Sequence, residues 1–342
     1  MSNKIVVKLY DKLEAFKTTL SGSLIASKPI YTEALGYGNQ QMSFRYAVNF
    51  DDSTIEHYDI ITVEDTSWAI LYRGVVNSLS RRLENNGESI IVSCMGMLSL
   101  GKKTIFKSGT NYSFSKNADP RDIIEDIIDH INSKYATNPF SYVNNTTTIA
   151  RGTTINIDFD YTDCVDAIKK IVELTDYVFR ISGEWVVYFT PATSTYVASH
   201  TLTMGRHIES LEIDEKSNRL YNDYILEYSG GGTQTGNDAT SITAYWTLTE
   251  YLFDSTANDA ATATERIDAE LAKYKAPNLN TMIIVNDNYP IETLKVWDLI
   301  TISNMNYSIS NKVIQKITYS VTEVILYIDS YESIAKSLQE IT

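Results

Sequence analysis

Apolar and polar side chains alternate at a spacing of two along most of the first hundred residues. The runs KIVVKLY (4–10), QQMSFRYAVNF (40–50), HYDIITVED (57–65), WAILYRGVVNSLSRRLE (68–84) and ESIIVSCMG (88–96) carry this pattern and are rich in Val, Ile, Tyr and Phe. Such runs suit strands that bury one face. Turn signals at Asp51–Asp52, Glu64–Asp65 and ENNGE (84–88) separate them, with Asn86–Gly87 the strongest hairpin cue, because both residues tolerate the positive φ of a tight turn. Short antiparallel strands at this spacing predict a sandwich or barrel.

The period lengthens at KNADPRDIIEDIIDHINSKY (116–135). Asp119 is placed to cap a helix with Pro120 at its first position, and Ile123, Ile124, Ile127, Ile128 and Ile131 form one apolar face. A second helix is predicted from Asp163 as cap through Val165, Ile168, Ile171 and Val172. Its stripe needs a sheet to cover, and the next segment supplies one: a hairpin over Tyr177–Thr190 carrying Tyr177, Phe179, Trp185, Tyr188 and Phe189. Rings on one face of that hairpin can pack under the helices, each burying ~150–250 Å².

From about residue 200 the two-residue alternation returns. The triple glycine at 230–232, followed by Thr, Gln and Asn, is read as a flexible surface loop with no helix after it, since no phosphate-loop spacing is present. An Ala-rich helix is expected from Asn258 to about Lys275, stopped by Pro277. The strands NTMIIVND (280–287), VWDLITIS (296–303), KVIQKITYS (312–320) and VTEVILYIDSY (321–331) close the chain.

These elements predict a mixed, β-rich α+β fold: two antiparallel β-barrel or sandwich domains with an inserted helix-and-hairpin domain. The expected boundaries are 1–103 for the first β-domain, completed by about 199–230; 104–198 for the inserted domain; 231–330 for the second β-domain, including the helix at 258–275; and 331–342 for a short C-terminal helix. The segments VVNSLSRRLENNGESIIV (75–92) and VIQKITYSVTEVIL (313–326) share a hairpin layout, which fits a duplicated β-domain but also any two antiparallel hairpins.

Composition narrows the function. Across 342 residues, 43 acidic side chains face 29 basic ones, a formal net charge of −14, and the basic clusters found are pairs such as Arg81–Arg82 and Lys102–Lys103. No basic stripe exists to grip phosphates, whereas an acidic surface repels nucleic acid. Cys94 and Cys164 lie among apolar residues without metal-ligand spacing, as buried free thiols do. The first residues lack a signal peptide's apolar core, and no run reaches the ~18 apolar residues of a membrane span. The expectation is a soluble chain made in a cytoplasm.

Candidate chemistry is thin. His57, His130, His200 and His207 occur singly, and the pairs Glu125/Asp126 and Asp158/Asp160 could serve a glycosidase only if folding set their separation. Asp158 and Asp160 alternate along a strand, as on a solvated face. No catalytic, cofactor-binding or metal-binding residue is assigned. The 24 tyrosines suit half-buried strands, and equally glycan stacking or an interface.

Four stretches in order carry a resemblance: LYRGVVNSLSRRLENNGESIIVSCMGMLSL (71–100), DPRDIIEDIIDHINSKY (119–135), DCVDAIKKIVELTDYVFRISGEWVVYFTP (163–191), and RLYNDYILEYSGG (219–231) with ATERIDAELAKYKAPNLNTMIIVND (263–287) and LKVWDLITISN (294–304). Their succession resembles the hub protein of bacteriophage tails, also known as the baseplate hub or the N-terminal region of tail-associated proteins, with relatives in contractile injection systems. Trp297–Asp298 stands where the family pattern has Gly–Asp, which puts that turn in question, and Asn222 matches a patterned asparagine.

The resemblance implies a virion component of the tail tip, without catalysis or cofactor. It implies a homotrimer with two tube-like β-domains per subunit, whose pseudo-sixfold ring joins the hexameric tail tube to central fibre or spike proteins. Further implied partners are distal tail proteins and the tape measure protein, and phage DNA would cross an acidic channel without specific binding. Tyr177, Phe179, Trp185, Tyr188 and Trp297 are the implied contact residues. A glycan-binding adhesion module and a tail-associated cell-wall hydrolase are the competing readings.

Overall fold

In the computed structural model, the structure describes residues 6–20, 25–34, 38–49, 52–64, 70–84, 87–107, 112–135, 140, 148–175, 177–182, 186–191, 198–229, 231–286, 288–304, 309–320 and 323–328. It is β-rich, dominated by one large sheet, with few helices.

The N-terminal region contains β1 (Val6–Tyr10), β2 (Phe16–Leu20), β3 (Ile25–Ala34), β4 (Gly38–Tyr46), β5 (Ile60–Glu64), β6 (Ile70–Glu84) and β7 (Gly87–Gly96). Its strands pair antiparallel in the order β3-β4-β7-β6-β5-β1-β2. Alternation places Val7, Leu9, Phe44, Tyr72 and Val92 in one core. All five residues of β5 are buried, and the Glu64 carboxylate is held there by the Lys8 ammonium at 2.6 Å. The β6–β7 hairpin forms where Asn86–Gly87 predicted it, with Glu84 opposite Gly87; Asn86 itself lies outside the described residues.

The inserted region runs through α1 (Ser99–Lys102), β8 (Ser113–Ala118), α2 (Pro120–Asn132), β9 (Ile155–Asp160), α3 (Cys164–Glu173), β10 (Tyr177–Ile181) and β11 (Val187–Pro191). The Asp119 side chain caps α2 by accepting from Arg121 N–H, with Pro120 at the first turn. Asp163 caps α3 through Val165 and Asp166 N–H. The five α2 isoleucines are fully buried, and at about 1.5–3 kcal/mol per side chain that face outweighs the ~1 kcal/mol of a cap. Burial therefore holds α2, and the cap fixes where it starts.

The C-terminal region contains β12 (Ser199–Thr203), β13 (Ile208–Lys216), β14 (Asp223–Tyr228), β15 (Thr233–Asn237), α4 (Ala239–Tyr245), β16 (Thr249–Asp254), α5 (Ala260–Tyr274), β17 (Asn278–Val285), β18 (Leu299–Ser303), β19 (Ile309–Tyr319) and β20 (Val324–Ile328). The order β13-β17-β20-β19 continues through a β19–β3 pair into the N-terminal strands, and with β18 on β19 and β12 on β18 this makes one thirteen-stranded sheet. A separate sheet, β15-β14-β16, is covered on one face by α5 through Tyr224, Leu226, Ala263, Ile267 and Leu271. Gly236 permits this approach, because a Cβ there would meet the Ile267 side chain at 2.6 Å.

Two expectations need correction. Residues 199–216 do not complete the N-terminal strands: β12 pairs with β18 and β13 with β17, because alternation marks a strand without naming its partner. The segment after the triple glycine is not a loop; Thr233–Asn237 pairs with β14, and α4 follows with Asp238 as cap. This polar strand, TQTGN, buries no side chain and gives no hydrophobic period. Helix α5, within the expected 258–275, packs on the small sheet. The helix expected at 331–342 lies outside the described residues.

Candidate functional site

The hairpin β10–β11 sits between two cores, which explains its aromatic content. Tyr177, Phe179 and Ile181 face the helices, while Val178 on the other side of β10 joins the core formed by Leu202, Ile283, Trp297 and Ile300. Tyr177 and Phe179 are thus buried, with Phe179 opposite Phe189 in the strand register. Trp185 lies outside the described residues.

Tyr188 and Trp297 are brought together by a residue the sequence did not single out. Arg180, opposite Tyr188 in register, is buried, with its guanidinium 4.4 Å from the Tyr188 ring centre and 5.5 Å from that of Trp297. One guanidinium N–H donates to Val296 O at 3.3 Å, while Nε has no hydrogen-bond partner among the described residues. The aromatic faces take the place of those partners, as a cation against ring quadrupoles.

The turn beneath Trp297 is fixed by Asp298. Its Oδ2 accepts from Lys295 N–H at 2.8 Å and from His200 Nε2 at 2.9 Å, and its Oδ1 accepts from Ala198 N–H at 3.1 Å. His200 Nδ1 meets the Tyr289 hydroxyl at 2.8 Å. One tautomer satisfies the chain: Nε2–H donates to the carboxylate and Nδ1 accepts from tyrosine. Trp297 itself has φ +86°, a region that favours glycine. Its N–H donates to Ile314 O, and Ile314 N–H donates back to Asp298 O, both at 2.9 Å. Two backbone hydrogen bonds thus hold this turn with tryptophan at its positive-φ position.

Glu33 of β3 completes the cluster. Burial pushes its carboxyl above the ordinary range, against the opposing pull of Arg180 and Lys295. Strand β3 of the N-terminal core, β10 of the helical core, and the β12 and Trp297–Asp298 segments of the C-terminal core thus share one buried polar junction.

The other candidates are dispersed. Asp158 and Asp160 are exposed on β9, as expected of a solvated face, and Asp158 accepts from Asn258 at 2.6 Å. Asp126 pairs with Lys116 at 2.5 Å, and Glu125 accepts from Thr148 at 3.2 Å. Cys94 and Cys164 are free, buried thiols. Among the described residues no group of three or more His, Cys, Asp or Glu is arranged to hold a metal ion, and no helix is long and apolar enough to cross a membrane.

One surface feature was not read from the sequence. Trp246 is 84% exposed, with φ +66°. Fully buried Asn222 holds its loop: Nδ2 donates to Trp246 O at 2.8 Å, and Oδ1 accepts from Leu248 N–H at 2.8 Å.

The whole-chain fold has solved counterparts. A 43 kDa tail protein of prophage MuSo2 from Shewanella oneidensis superposes with a TM-score of 0.68 at 12% identity, covering 95% of this chain and 98% of that one. The prophage tail protein gp18 from Listeria monocytogenes EGD-e gives 0.66 at 11% identity, covering 98% and 97%. The fold is that of phage tail proteins. An Escherichia coli protein, c3393, a component of the type VI secretion system described as structurally similar to the T4 tail proteins gp27 and gp5, gives 0.54 at 11% identity, covering 98% of this chain and 76% of that one. In sequence, no family model and no curated protein matches the chain.

Proposed function

We propose that this chain is a structural hub of a phage tail tip, acting by assembly and not by catalysis. The observation that carries the reading is the end-to-end agreement of the fold with phage tail proteins, 95% of this chain against 98% of the Shewanella protein. In this reading three copies form a ring in which the N- and C-terminal β regions of each subunit occupy alternate positions, giving pseudo-sixfold symmetry. The β6–β7 and β19–β20 hairpins, both antiparallel, are the corresponding elements. The ring joins the tail tube and distal tail proteins to the central fibre or spike and adjoins the tape measure protein. A net charge of −14 suits a channel that DNA crosses without being held, since binding rests on phosphate neutralisation.

The test is light scattering with negative-stain imaging of the purified chain, alone and with its tail-tube protein. A threefold ring of three times 38.6 kDa supports the hub. A chain that stays monomeric and joins no tube end removes it.

A further inference from the structure

The sheet β15-β14-β16 has one face under α5 and one open face. Register places Ile225 beside Tyr251, and Glu227 beside Phe253, on the open side. Tyr251 and Phe253 are 58% and 63% exposed, so two rings two residues apart on one strand stand in solvent. Leu252, between them, points to the covered side and packs on the α5 core.

The rings are not loose. The Tyr251 hydroxyl donates to Glu227 Oε2 on the neighbouring strand, which pins the phenol end and leaves the ring face outward. The Thr249 hydroxyl donates to Asp223 Oδ2 at 2.6 Å on the same face. Each carboxylate keeps acceptor capacity beside a ring.

Size and charge select the occupant. Three strands about 4.8 Å apart and six residues at about 3.3 Å each span on the order of 300 Å². A specific protein partner needs roughly 800 Å² per side. The charged side chains on the face, Asp223 and Glu227, are both acidic, which disfavours an anionic polymer. A small, uncharged, hydroxyl-rich ligand fits: its C–H faces lie on the rings, and its hydroxyls donate to the carboxylates.

We propose that the open face of β14–β16 is a binding site for a neutral glycan, with Tyr251 and Phe253 as the stacking platform and Asp223 and Glu227 as hydroxyl acceptors. This site is separate from the hub reading and stands or falls without it.

The experiment is native gel electrophoresis of the full chain through gels containing dextran, mannan, galactan or hydroxyethylcellulose, with light scattering in parallel. At least one neutral polysaccharide is expected to retard the wild type. Tyr251→Ala and Phe253→Ala should each lose the retardation while circular dichroism stays unchanged, as befits exposed positions. Phe253→Tyr should restore it, because stacking survives. Retardation by none of the four polymers overturns the site, as does retardation of both alanine variants equal to that of the wild type. A self-associated wild type that Phe253→Ala converts to monomer overturns it too, and assigns the face to a second copy.

Discussion

The rings of Tyr31 and Tyr319 stack with centres 4.6 Å apart and planes 22° from parallel, directly across the register where β3 meets β19. Tyr319 packs against both the N-terminal and C-terminal cores, and its hydroxyl donates to Leu294 O at 2.8 Å. Tyr319→Phe should cost about 0.5–1.5 kcal/mol, the worth of one hydrogen bond. Tyr319→Ala should cost about 3–5 kcal/mol, as large aromatic truncations do. Urea unfolding checks both, and the alanine variant should raise hydrogen exchange in β3 and β19 together.

Trp297→Gly sets two effects against each other. Glycine removes about 1–2 kcal/mol of left-handed strain, but deleting the buried indole costs about 3–5 kcal/mol and strips Arg180 of a ring. A net loss of roughly 1–4 kcal/mol follows, measurable by denaturant unfolding. A variant more stable than wild type would mean that strain dominates this turn.

Glu33 gives the pH dependence a sign. Its folded carboxyl is raised above the ordinary value of 4.5, so the folded state binds its proton more tightly than the unfolded state does. Its contribution is greatest below 4.5 and falls as pH rises through the interval up to the folded value. Glu33→Gln should therefore match or exceed wild-type stability at neutral pH, with the advantage shrinking on acidification. Thermal unfolding at pH 4 and pH 7 checks the difference.

The two thiols should be silent in the native state. Cys94 and Cys164 are 2% and 0% exposed, and burial pushes the Cys164 thiol up to about 12 and raises Cys94 as well. Since thiolate is the reactive form, neither should label with a thiol reagent at pH 8 until denaturant unfolds the chain. Fast labelling in native buffer would contradict their burial.

Asn222→Ala should free the Trp246 loop. Losing the side-chain bonds to Trp246 O and Leu248 N–H leaves partners unsatisfied at about 1–3 kcal/mol. Amide exchange at Leu248 should accelerate, with α2 and α3 unaffected.

What was legible in the sequence is what is local. The Asp119–Pro120 and Asp163 caps, the isoleucine face and the Asn86–Gly87 hairpin all act within a few residues of themselves. Strand β3 was missed because it contains Pro29 and departs from regular register at three places, both marks that weaken a strand pattern. At the junction, Trp297 stood out through its place in the Gly–Asp pattern. The contacts around it were not legible: His200 and Asp298 are 98 residues apart, and Arg180 lies in a different strand from Trp297. Tyr251 and Phe253 alternate with Glu250 and Leu252, but the Gly-rich stretch before them hid the sheet they complete.

The β3–β19 pair also constrains how the chain is made. Its two strands, Ile25–Ala34 and Ile309–Tyr319, are far apart in the sequence, so during synthesis the N-terminal sheet emerges with the β3 edge waiting for a strand not yet translated. A bare edge is a template for pairing with the wrong chain, and nascent multidomain chains are exposed to that hazard. Pro29 removes one backbone donor from β3, and its irregular register breaks the flat ribbon. The features that obscured β3 as a strand are thus the ones that guard it on the ribosome until Tyr319 arrives.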